Sequence, residues 1–125
     1  MRILLIPAVL LLAGAPAVAR DRTIPIVTPA GKDVSCVQVR QIRQTHVRSD
    51  KIIDFEMQGG KVFRNELPYS CPQLGFEERF SYRVSTGSLC SVDTITVLQN
   101  TGGLSAGASC GLGRFQPVKL TKQQR

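Results

Sequence analysis

The chain has 125 residues, 42% of them in the hydrophobic class and 20% charged, with 16 Lys and Arg against 9 Asp and Glu for a formal net charge of +7. That length suits one domain and the apolar fraction suits an ordinary globular protein, which excludes wholesale disorder; no internal stretch is long enough to cross a bilayer as a helix. One His, no Trp and no dense cluster of catalytic residue types leave little material for enzyme chemistry.

Met1 and Arg2 make a short positive start, Ile3 to Ala15 an apolar run broken by Pro7 and Gly14, and Ala17-Val18-Ala19 an A-x-A cleavage pattern. Residues 1–19 therefore read as a secretory signal peptide; the run is shorter than the roughly 20 apolar residues of a membrane span. Cleavage after Ala19 removes Arg2 and no acid, so the mature chain keeps 15 basic and 9 acidic residues, a formal +6. The expected location is the periplasm or the extracellular space, with no transmembrane segment after processing.

Residues 20–35 hold Pro25, Pro29 and Gly31 without a sustained period and read as an extended lead-in. Residues 36–116 turn to short alternating segments with turn residues between them, the pattern of an all-β domain. Val37, Val39 and Ile42 fit a short strand or a single helical turn, and Ser49-Asp50-Lys51 reads as a turn. In Ile52 to Met57, Ile53, Phe55 and Met57 alternate with Ile52, Asp54 and Glu56, so one face enters a core and the other meets water. Gln58-Gly59-Gly60 supplies a hairpin turn, with Val62 to Leu67 as the returning strand.

Pro68 and Pro72 stop that strand, and Gly75 to Glu78 reads as a loop. The next strand begins near Arg79, with Phe80, Tyr82 and Val84 on one face and Ser81 and Arg83 on the other. After a turn at 85–88, Asp93 to Gln99 is a β-branched strand with Ile95 and Val97 inward, and the Asp93 carboxylate is placed to accept backbone N–H groups and fix the turn after Cys90. Residues 100–113 carry five glycines and read as a flexible loop pinned by Cys110. A short strand at 114–116 and a polar basic tail at 117–125 complete the chain. The expected fold is all-β: a small single-domain barrel or a strongly curled antiparallel sheet of five to six strands, with two disulfides.

Cys36, Cys71, Cys90 and Cys110 all follow the export signal, and an even count in a small exported chain argues for two bridges. Of three pairings, Cys71 with Cys90 as a loop staple and Cys36 with Cys110 as a tie between the domain's ends is preferred. Closely spaced ligands of the C-x-x-C or H-x-x-x-H kind are absent from the sequence, so neither a metal nor any other cofactor is expected.

The order of these features, with Cys36 ahead of Ile42, the strand Ile52 to Met57, the run Gly60 to Leu67, Cys71-Pro72-Gln73-Leu74, the run Leu89 to Ile95 and the run Cys110 to Phe115, resembles an uncharacterised family of small exported bacterial proteins, a domain of unknown function. The resemblance spans nearly the whole mature domain. It implies an exported, disulfide-bonded β domain and carries no catalytic residues with it.

His46, with Asp50 and Asp54 nearby in sequence, is the one imidazole on which acid/base catalysis can centre, yet a lone His among Arg43, Thr45 and Arg48 is the ordinary picture of a surface strand residue. Glu77 and Glu78 are neighbours that an extended chain sends to opposite faces, and no G-x-S-x-G is present. The collective feature is the basic set Arg40, Arg43, Arg48, Lys51, Lys61, Arg64 and Arg83, among which Arg43, Arg48, Lys61, Arg64 and Arg83 are candidate anion-binding residues if the hairpins gather them on one face. The leading expectation is an exported, non-catalytic binding or structural protein of the cell envelope that favours an anionic envelope component or an acidic protein. The alternatives are a small exported hydrolase or transferase using His46, and an exported inhibitor of an acidic hydrolase. Nucleic acid is disfavoured, because the aromatic residues are needed for the core and export removes the chain from it.

Overall fold

The computed structural model describes residues 24–121. Residues 1–19, the first four residues of the lead-in and residues 122–125 of the tail lie outside the described residues. In chain order the elements are β1 (Val27–Pro29), β2 (Cys36–Gln38), a 3-10 turn (Val39–Gln41), β3 (Ile42–Val47), β4 (Ile52–Met57), β5 (Val62–Glu66), the single-turn helix α1 (Leu74–Glu77), β6 (Phe80–Tyr82), β7 (Ser88–Cys90), β8 (Thr94–Asn100), β9 (Leu104–Gly111) and β10 (Phe115–Leu120). Both readings of the Val37 to Ile42 stretch are realised in succession, a strand and then a helical turn.

The domain is all-β, built from three antiparallel sheets: a five-stranded sheet in the order β1-β10-β5-β4-β3, a pair β2-β7, and a three-stranded sheet β6-β8-β9. It does not close into a barrel; instead the sheets share one core. Ile53, Phe55 and Met57 of β4 and Phe63 of β5 pack with Val37 of β2, Leu89 of β7, Ile95 and Val97 of β8 and Phe115 of β10, all buried. Phe55 stands edge-on to Phe115, with ring centroids 5.3 Å apart, and to Phe80 at 6.3 Å, an arrangement that sets ring edges against ring faces. Gly59 and Gly60, at φ +88° and +87°, make the β4–β5 turn in the left-handed region that side chains avoid.

The inward face of β5 contains one polar residue, the fully buried Asn65. Its side-chain amide copies a strand partner: Nδ2 donates to the Gly113 carbonyl and Oδ1 accepts from the Gly113 N–H, both at 2.8 Å. A Cβ on Gly113 would collide with the Glu66 carbonyl oxygen, so only glycine lets the chain approach this closely.

Three segments differ from the sequence expectation. The glycine-rich stretch 100–113 is no flexible loop: Leu104 to Gly111 forms β9, which pairs with β8 across a turn at Gly102 and Gly103. Ladder hydrogen bonds use only the backbone, so a strand of Ser, Ala and Gly forms without any alternation of apolar bulk to announce it. Residues 117–120 are not tail but the second half of β10, held between β5 and β1. Pro117 is tolerated there because its carbonyl faces the lead-in, accepting from the Ala30 N–H at 2.8 Å. The missing N–H of the same residue would have pointed to that side too, and the ladder to β5 loses nothing. Residues 74–77 form α1 rather than a loop, with the Asp50 carboxylate accepting from the Gly75 N–H at 2.7 Å.

The bridges are Cys36–Cys90 and Cys71–Cys110, not the preferred Cys71–Cys90 and Cys36–Cys110. Pairing of β2 with β7 sets Cys36 directly opposite Cys90. Cys110 sits opposite Ile95 on β9, a strand rather than a loop, which delivers it to the buried Cys71. With separations of 54 and 39 residues, each bridge is worth about 4 kcal/mol in the chain-entropy model. Replacing either pair by Ser should therefore lower the unfolding free energy by about 2–4 kcal/mol in urea titrations. Non-reducing peptide mapping should return Cys36–Cys90 and Cys71–Cys110; a Cys71–Cys90 peptide would contradict the β2–β7 pairing.

Candidate functional site

The hairpin registers determine where the predicted basic residues go. Turns at 49–51 and 58–60 place His46 and Arg64 on either side of Asp54, so that His46, Asp54, Arg64 and Gln116 form one row across four strands on the outer face of the five-stranded sheet. Asp54 is nevertheless fully buried. Its Oδ1 accepts from Arg64 Nε at 2.8 Å, and its Oδ2 accepts from Arg64 Nη2 and Arg48 Nε, both at 2.9 Å. Arg64 Nη2 also donates to the Pro25 carbonyl at 3.1 Å, which ties the lead-in across this face.

Arg64 gives its fork, and Arg48 its Nε, to a carboxylate of the chain itself. A buried carboxylate without cationic partners is strongly disfavoured, and this one collects three charge-assisted bonds. His46 does not hydrogen-bond to Asp50 or Asp54. Its Nε2 lies 3.2 Å from Glu56 Oε2, while Asp50 is turned to α1. Arg43 Nη1 is 3.9 Å from Glu56 Oε1 and largely exposed, a loose surface pair. Lys61 Nζ stands 4.9 Å over the Phe63 ring. Arg83 directly follows β6, beside the three-stranded sheet and away from the main one. Arg43, Arg48 and Arg64 do come together around Glu56 and Asp54 on the main sheet, which engage them, while Lys61 stands over Phe63 and Arg83 lies elsewhere. Asp93 takes the structural role read for it, its Oδ2 accepting from the Cys90 N–H at 2.7 Å.

What the structure does assemble is a groove of about 400 Å³ on the outer face of β6, β8 and β9. With Ile95 and Val97 turned to the core, Thr94 and Thr96 point outward, and register sets Thr96 between Ser81 and Ser109. Thr96 Oγ1 and Ser109 Oγ are 3.0 Å apart. Arg83 lines the same groove, exposed and without an acidic partner among the described residues. The wall on β9 is formed by Ala106 and Gly107, where the strand carries an extra residue; a Cβ on Gly107 would meet the Val97 carbonyl at 3.1 Å. Sequence reasoning placed Ser81 and Arg83 on the outward face of their strand. It missed their companions because reading 100–113 as a loop removed the third strand; the Thr94-x-Thr96 alternation beside buried Ile95 and Val97 was the available signal.

Among the described residues no group of three or more His, Cys, Asp or Glu side chains is arranged to hold a metal ion, and no helix is long and apolar enough to cross a membrane. Compared with protein-family models, curated proteins and solved structures, the chain finds no match.

Asp54→Ala would leave two guanidinium groups facing each other with no counter-charge, and should cost about 3 kcal/mol of unfolding free energy. Arg43→Ala, which removes only the loose surface pair, should change it by less than about 0.5 kcal/mol. Equilibrium denaturation of the two variants checks the contrast, and equal effects would mean that the Asp54 cluster contributes no more than a surface pair.

Proposed function

We propose that this protein is an exported, disulfide-locked module of the cell envelope that works by binding an anionic component, without catalysis. The observation that carries the reading is the way charge is distributed. Four acidic side chains are engaged by the protein's own groups, Asp54 by two arginines, Asp50 by the Gly75 N–H, Asp93 by the Cys90 N–H and Glu56 by His46, while Asp33 and Glu66 are exposed. Arg40, Lys51, Arg83 and Lys119 are exposed and have no acidic partner among the described residues. The formal excess of positive charge is carried in part by these exposed, unengaged cations, and such a surface draws anions over a distance of about a Debye length.

Two disulfides suit an oxidising compartment, in keeping with the leader-like segment at 1–19, and the resemblance to small exported bacterial proteins points the same way. For a hydrolase or transferase centred on His46, the imidazole would need a nucleophile beside it; its one hydrogen-bond contact among the described residues is the Glu56 carboxylate, itself shared with Arg43.

Retention of the oxidised protein on polyglutamate-coated resin should be strong near 0.05 M salt and fall steeply by about 0.5 M, as screening shortens the reach of its charges. His46→Ala should leave that retention unchanged. A flat salt response would remove the electrostatic basis of the reading, and a turnover abolished by His46→Ala in a folded protein would replace binding with catalysis.

A further inference from the structure

We infer that the groove on β6, β8 and β9 is a binding site for an acidic carbohydrate, a polyhydroxylated ligand bearing a carboxylate. The inference rests on the reading of the protein as a binder of anionic envelope components, and gives that reading a place and a chemistry.

Four hydroxyl side chains, Ser81, Thr94, Thr96 and Ser109, share the groove with Arg83. A hydroxyl both donates and accepts, so an array of them matches a partner whose groups do the same. Sugar hydroxyls have that double character, whereas a simple carboxylate or phosphate offers acceptors alone and leaves the lone pairs of the array unused. The row Ser81–Thr96–Ser109 crosses three adjacent strands, so its members repeat at about 4.8 Å, a spacing set by the sheet and not by flexible loops. The Thr96–Ser109 contact occupies one of the two hydroxyl protons and leaves the other to a ligand.

Arg83 adds the element that selects charge. Its planar fork has no acidic partner among the described residues, in contrast to Arg64, whose fork Asp54 fills. Hydroxyls alone would suit a neutral sugar and a guanidinium alone any anion; the two together in one concavity define the class. At about 400 Å³ the groove is within the usual range of small-ligand sites, and the bare backbone at Gly107 keeps its wall low.

The test is calorimetric titration of the oxidised protein with three probes: a hexamer of a uronic acid, a neutral hexamer of the same linkage, and polyglutamate. Arg83→Gln and Thr96→Val, both at solvent-facing positions, should each weaken the uronate hexamer about tenfold with an unchanged thermal midpoint. The neutral hexamer should bind the unaltered protein about tenfold more weakly, and Thr96→Val should leave polyglutamate affinity as it was. Should a variant fail to fold, amide shifts of Thr94, Thr96 and Ser109 on adding the hexamer to unaltered protein decide the matter, and their absence overturns the site. Uronate binding indifferent to both substitutions, or polyglutamate binding without uronate binding, also overturns it while leaving the broader anionic reading intact. Failure of both anionic probes at low salt removes that broader reading as well.

Discussion

A carboxylate with no exposure to water organises the outer face of the main sheet. Asp54 is tolerable there only because Arg64 grips it with two donors and Arg48 with a third, and each of those bonds depends on the register of a hairpin. A slip of one residue in β4–β5 would turn Asp54 into the core and Phe55 out to solvent, leaving both guanidinium groups without their anion. Register is thus specified twice, by apolar packing on one face and by charge on the other. The lead-in depends on the same cluster, since Arg64 also holds the Pro25 carbonyl.

Much of this was readable before any coordinates. The alternation of Ile53, Phe55 and Met57, the glycine turn at 59 and 60 and the even cysteine count follow from local chemistry, and local chemistry is what a sequence displays. The Asp54–Arg64 pair was within reach as well: a hairpin centred on Gly59 sets residues 54 and 64 opposite each other. The basic residues taken as a set do not reveal it; their registers do. Other features depend on partners far along the chain. β9 has no apolar rhythm because its eight residues are Leu, Ser, Ala, Gly and Cys, and its strand character comes from β8 alone. The continuation of β10 through Pro117 depends on which side that residue's carbonyl faces, and the cysteine partners depend on a β2–β7 ladder that spacing does not reveal. The hydroxyl groove was hidden for the same reason as β9, which supplies one of its walls.

The two sheet faces that meet solvent have opposite characters, and this difference frames the functional reading. On the main sheet the charged groups are engaged with one another in two sets of contacts, Arg43 and His46 with Glu56, and Arg48 and Arg64 with Asp54. On the smaller sheet a lone guanidinium stands among hydroxyls. Groups already bound to one another have little to give a ligand, so the face with fewer charges offers the more usable one.

The position of β10 bears on how the molecule is made. The last strand in the chain is not at the rim of the main sheet but second from one side, between the earliest strand and β5. A polypeptide that emerges amino end first can form the β3–β4–β5 meander early, yet it presents Asn65 with nothing to clasp until Gly113 arrives, and Phe55 without the ring of Phe115 against it. Completion of the sheet must wait for the carboxyl-terminal residues, because its central pairings join segments far apart in sequence. Such a chain stays pliable until residues 115–120 are available and becomes rigid only once they pair with both of their neighbours.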